Sequence, residues 1–153
     1  MRLKGITSGN RRWFVGAGTV FVSCLLLGSA AGSANAGIAD SANGYYTVAG
    51  HQYVNTAIID TGSDIAIAIT DTSWSAGGTP TGDAGSRGRL FTSGGSLSCE
   101  GSNTYNSSTG SLAVGYSCDR YTSGTWYSYG VSLGWNGSGY TSFYTYQSPN
   151  QNS

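Results

Sequence analysis

The sequence predicts an all-β protein, a small single-domain antiparallel β-sandwich with one disulfide. Three observations carry the prediction. Short runs rich in Val, Ile, Thr, Tyr and Trp alternate with breaks rich in Gly, Ser and Asn. No window repeats its apolar residues at helical spacing. Two cysteines remain in a segment that reads as exported.

Residues 1–36 read as a cleaved signal peptide. Arg2, Lys4, Arg11 and Arg12 precede the apolar run "WFVGAGTVFVSCLLLGSAAG", and Ala34-Asn35-Ala36 offers the small residues a signal peptidase needs. Arg11-Arg12 ahead of that run resembles a bacterial twin-arginine signal, although a general secretory signal would look much the same. Either route makes the mature chain, from Gly37 onward, a secreted extracellular protein, with no membrane association expected after the signal is removed.

Cleavage changes the charge. Arg87, Arg89 and Arg120 then face Asp40, Asp60, Asp64, Asp71, Asp83, Glu100 and Asp119, three against seven, for a net charge of minus four. Such a chain lacks the positive surface that holds a phosphate backbone, so nucleic acid and anionic membrane are excluded as partners. The 117 residues from Gly37 to Ser153 suit one domain with one core.

In chain order, residues 37–44 are small and uncharged except for Asp40 and are expected to form a flexible N-terminal arm. The sandwich domain spans 45–147, with strands at 45–49, 53–59, 64–70, 89–92, 96–99, 111–118, 125–135 and 140–147. The break at 75–88 is expected to be a long crossover between two sheets. Residues 148–153 are expected to be a disordered tail. Cys99 and Cys118 are expected to pair, closing a loop that contributes about 3 kcal/mol by chain entropy. The alternation puts Leu97 and Cys99 on one face of their strand and Leu112, Val114, Tyr116 and Cys118 on one face of theirs, both expected to point at the core. Two cysteines and one distant histidine are too few ligands for structural zinc.

Asp60 begins Asp-Thr-Gly-Ser behind two isoleucines. This short stretch resembles the catalytic loop of retroviral-type aspartic proteases, in which paired loops make two carboxylates share a proton. The resemblance implies a dimer with Asp60 as catalyst and a later apolar-apolar-Gly segment, of which 131–135 is a poor imitation. The strand-like runs on both sides favour a hairpin turn instead, with Gly62 at positive φ. Residues 130–134 match Gly-x-Ser-x-Gly, but a nucleophile elbow needs a following helix and a later histidine, whereas His51 lies upstream. Asp60, Asp64 and Asp71 fall close together without the spacing of a known calcium loop. Neither a metal nor a cofactor is expected, and no catalytic residue is assigned.

The last strands are dense in aromatic residues, more than one face can bury. Trp126, Tyr127, Trp135, Tyr140, Tyr144 and Tyr146 are the candidate binding residues, since Tyr and Trp are the usual anchors of protein interfaces. The expected function is a secreted, non-catalytic β-domain that binds an extracellular protein partner. It would serve as an adaptor subunit of an exported multi-protein antibacterial toxin assembly or as an inhibitor of an extracellular enzyme. A module that binds glycan or cell wall is the alternative, because sugars stack on open aromatic faces; a single-loop aspartic protease comes last.

Overall fold

The computed structural model describes residues 36–153, so the expected signal peptide lies outside the described residues except for Ala36. The strands are β1 (Ile38–Asp40), β2 (Gly44–Val48), β3 (His51–Gly62), β4 (Ile65–Trp74), β5 (Ala84–Arg87), β6 (Arg89–Thr92) and β7 (Leu97–Glu100). There follow β8 (Thr104–Tyr105), β9 (Ala113–Tyr116), β10 (Thr125–Ser128), β11 (Val131–Trp135), β12 (Tyr140–Tyr144) and β13 (Gln151–Asn152). No helix occurs among the described residues, and every strand pairing is antiparallel.

The first sheet has the order β1-β3-β4-β9. β1 pairs with residues 58–60 of β3 and β2 with residues 51–55, along the edge opposite β4. The second layer is built from two ladders, β13-β10-β6-β7 and β12-β11-β5-β8. They run into one another, because Trp126↔Thr92, Ser128↔Leu90, Val131↔Arg87 and Gly134↔Ala84 belong to one unbroken register. The Tyr129 N–H donates to the Arg89 carbonyl at 3.2 Å across the junction. The chain changes layer between β8, which pairs with β5, and β9, which pairs with β4.

Two apolar clusters lie between the layers. One holds Ile59, Ala66, Ala68, Leu90, Cys99 and Trp126, the other Val48, Tyr53, Ala84 and Ala113. The strands that carry them place Thr70, Thr72, Ser86, Ser128 and Ser132, all fully buried, between the two clusters. Thr72 and Ser132 share a hydrogen bond of 2.8 Å, and Ser86 donates to Thr72 or to the Ala113 carbonyl. Ser128 donates to the Ile69 carbonyl, and Tyr46 meets Ser132 at 2.5 Å. The hydroxyls of Thr72, Ser86, Ser128 and Ser132 are buried with partners, so their desolvation is compensated, whereas Thr70 Oγ1 is buried without one.

The layers approach closely along this seam because glycines line it. A Cβ on Gly88 would stand 2.5 Å from the Ala68 oxygen and the Ser117 nitrogen, and one on Gly115 2.5 Å from the Ser86 carbonyl carbon. A Cβ on Gly130 would collide with the Thr70 hydroxyl. Large inward side chains fit only at the two ends.

That geometry corrects the expected facing of 111–118. Ala113, Gly115 and Ser117 are buried, whereas Leu112 and Tyr116 are 51% and 55% exposed. The narrow gap selects the small residues for the inside. The Cys99–Cys118 disulfide forms all the same, with Cα atoms 5.9 Å apart, tying β7 to the chain beyond β9.

The turn after Asp60 also differs from expectation. Asp60 lies within β3, paired with Ile38 and Ile67, and Gly62 pairs with Ile65. The two-residue loop is Ser63-Asp64, and Asp64 takes the left-handed conformation (φ 57°), which Asp tolerates better than most residues. Ala49 (φ 50°) and Gly50 (φ 82°) close the β2–β3 hairpin with the paired positive φ of a type I′ turn, ending the expected strand 45–49 one residue early.

Both terminal segments of the domain pair with neighbouring strands. In the expected flexible arm, β1 pairs with β3, and Ser41 bonds Ala57 through its N–H and its Oγ. In the expected disordered tail, β13 pairs with β10 and Ser148 is buried, its Oγ accepting the Ser128 N–H. Backbone pairing along open strand edges holds both segments. Within the expected crossover, residues 84–87 form β5 in the middle of the second layer.

Gly130→Ala should lower stability by about 1–3 kcal/mol through overpacking. Gly139, with nothing near a Cβ position, should tolerate alanine with a change of under about 0.5 kcal/mol. Urea unfolding of both variants checks the pair.

Candidate binding face

Alternation along the second layer fixes what its outer face presents. Trp126, Ser128 and Ser132 point inward, which turns Tyr127, Tyr129, Val131, Leu133 and Trp135 to the opposite face, where Val131 and Leu133 are buried beneath their neighbours. Their cross-strand partners follow: Phe91 beside Tyr127, Arg87 and Tyr144 beside Val131, Tyr140 beside Trp135. Tyr105 stands beside Gly85, which lacks a side chain to hold the ring off.

The rings form two groups. Phe91 stacks on Tyr127 at 5.2 Å and meets Tyr129 edge-on at 6.1 Å, and Tyr129 stacks on Tyr144 at 5.4 Å. Tyr140 packs on Tyr105 at 4.6 Å and Trp135 at 5.1 Å, and its hydroxyl donates to the Gly82 carbonyl at 2.6 Å. Burial, then the neighbouring Tyr105 and Asp83, push the Tyr140 phenol above its ordinary range. Each ring pair adds about 0.5–1.5 kcal/mol beyond its buried area.

Two of the three arginines among the described residues lie on the same face. The Arg89 guanidinium sits 4.9 Å from the Phe91 ring centre and 5.7 Å from that of Tyr144. Glu100 Oε2 lies 3.4 Å from Arg89 Nε and 3.9 Å from Arg87 Nε, too far or too poorly aimed for a hydrogen bond, and both Nε atoms are buried without an acceptor. Two cations thus share one carboxylate. The face carries one uncompensated positive charge and open acceptor demand, in a domain that is negative overall.

Of the sequence-derived candidates, Tyr127, Trp135, Tyr140 and Tyr144 lie on this face, and Tyr144 is 60% exposed. Tyr146 follows β12 and is exposed. Trp126 is core instead, 7% exposed, its Nε1–H donating to Ser153 Oγ at 3.0 Å. Sequence reasoning missed Arg87, Arg89, Phe91, Glu100, Tyr105 and Tyr129. The alternation Arg87-x-Arg89-x-Phe91 was the available signal, readable only once β5 and β6 are known to continue each other.

The residues weighed for catalysis stand apart. Asp60 is a strand residue on the outer face of the first sheet, Ser132 is buried in the hydroxyl seam, and His51 stacks on Trp74 at 3.8 Å. The first sheet's outer face is aliphatic, with Ile58, Ile67, Ile69 and Val114 half-buried and Asp40, Asp60 and Asp71 among them.

Glu100→Gln should cost under about 1 kcal/mol of stability, since the carboxylate is largely exposed, and the loss should shrink in 1 M salt. Urea midpoints at low and high salt check it.

Comparison of the chain with protein-family models, with curated proteins and with solved structures finds no match.

Proposed function

We propose that the domain acts without catalysis, as a secreted binding module for an extracellular protein partner. One observation carries the reading: most of the second layer's tyrosines and two of its arginines stand on its outer face, with bulky inward side chains confined to the two ends of the interior. An antiparallel sandwich ordinarily turns its apolar residues inward and its polar ones to water. Here the middle of the inside is Gly, Ala, Ser, Thr and Asn55, while on the outer face stacked tyrosines and two under-compensated arginines surround Phe91, which they leave only 8% exposed. Tyr and Arg on a rigid frame are the residues that concentrate binding energy at protein interfaces.

The ring geometry favours a protein over a glycan. A pyranose stacks on an open aromatic face, but Phe91 and Tyr127, and likewise Tyr129 and Tyr144, turn their faces to each other at interplanar angles of 7° and 10°. Each such stack covers one face of both rings and reduces the flat area on which a sugar could lie. Two outer faces of unlike chemistry suit an adaptor subunit of an exported assembly, such as an antibacterial toxin particle; an inhibitor of an extracellular enzyme needs only one such face.

Native size-exclusion chromatography of culture medium tests the proposal. The protein should elute with a larger species, and Arg89→Glu should weaken binding to the copurifying partner by about 10- to 100-fold, roughly 1.4–2.7 kcal/mol. Elution alone, together with retention on cell-wall polysaccharide, would overturn it in favour of the glycan reading.

A further inference from the structure

The outer face of the first sheet holds a pocket of about 250 Å³ lined by Asn43, Val54, Thr56, Asp71, Ser73 and Leu112. Small-molecule and cofactor sites usually measure about 300–1,000 Å³, so this one is scaled to a single side chain. Val54 and Leu112 give it apolar walls, and Asp71 gives it a charge.

Asp71 lacks partners. Its Oδ1 is buried with no hydrogen-bond donor, and no Lys, Arg or His lies in salt-bridge range of it among the described residues. Its cross-strand neighbour Thr56 commits its hydroxyl proton to Asn43 Oδ1 at 2.8 Å. Burial, reinforced by the charge of Asp40, raises the Asp71 carboxyl above the usual range. Its ionised form therefore destabilises the free domain, and the penalty grows as pH rises through its titration, because the folded state holds that proton more tightly than the unfolded chain.

We propose that this pocket receives the ammonium or guanidinium head of a lysine or arginine side chain from the protein partner, with the methylene stem lying along Val54 and Leu112. The inference rests on the partner reading above and names the anchor that partner would bring. A cation there would meet the carboxylate at Oδ2, the oxygen not buried, and offset both the unpartnered charge and its repulsion by Asp40. Charge complementarity assigns the face: cations to the first sheet, carboxylates to Arg87 and Arg89 on the second.

The test is an amide NMR titration of the isotopically labelled domain with n-butylguanidinium and n-butylammonium, using butyramide, glucosamine and calcium chloride as comparisons, in parent and Asp71→Asn proteins. Shifts at Thr56, Asp71 and Ser73 should saturate in roughly the millimolar range with the butyl cations and weaken at least tenfold in the variant. Asp71→Asn should also raise Tm, whereas a merely structural carboxylate would lower it on removal. Equal shifts with butyramide, unchanged binding in the variant, a lowered Tm, or preference for glucosamine or calcium would each overturn the proposal. Partner capture is read separately. Capture with a failed titration removes the pocket alone, and a successful titration on a protein that elutes alone removes the partner reading alone.

Discussion

The rest of the structure depends on how closely the two layers meet along the seam of Gly88, Gly115 and Gly130. At these points backbone lies against backbone or against a hydroxyl, and a single added carbon would not fit. Bulky apolar side chains are absent from the middle of the interior, where Asn55, opposite Thr72, is the longest inward side chain and its amide is buried without a partner. The hydroxyls that fill it must pair with one another, which they do from Tyr46 through Ser132 and Thr72 to Ser86. Apolar burial between the layers is confined to the clusters at either end, around Leu90 and Trp126 and around Tyr53.

A thin interior has a consequence for the outside. Each strand alternates, so small inward residues leave the large ones on the opposite face. In the second layer these are rings and arginines; in the first they are isoleucines with aspartates among them. The constraint that narrows the core thus also supplies two contact faces of unlike charge. Strands closed by backbone pairing at both termini keep those faces in fixed relation to the backbone, and preorganised side chains lose less entropy on binding.

The longer strands, the all-β class and the disulfide were legible because they depend on local alternation, glycine-rich breaks and cysteine count, whereas β1, β5, β8 and β13 lie outside the expected strands. The facing of 111–118 was not. Reading Leu112, Val114 and Tyr116 as core assumes that apolar means inside, and what reverses this at Gly115 is the Ser86–Arg87 backbone of β5, far away in sequence. The turn after Asp60 was misplaced by two residues for a related reason. Glycine suggested the positive φ, but tertiary pairing of Gly62 with Ile65 moved it to Asp64. Of the binding face, the tyrosines of β10 and β12 were visible in composition. Arg87, Arg89 and Glu100 were not, because their meeting requires the β5–β6 continuation and its pairing with β7.

Hydroxyl-radical footprinting of the purified mature domain, read by mass spectrometry, tests the inside-out arrangement most directly. The account predicts rapid modification of Leu112, Tyr116 and Tyr144, with Tyr53 and Trp126 protected until unfolding. Protection of Leu112 and Tyr116 together with labelling of Trp126 would contradict it, returning the bulky residues to the core.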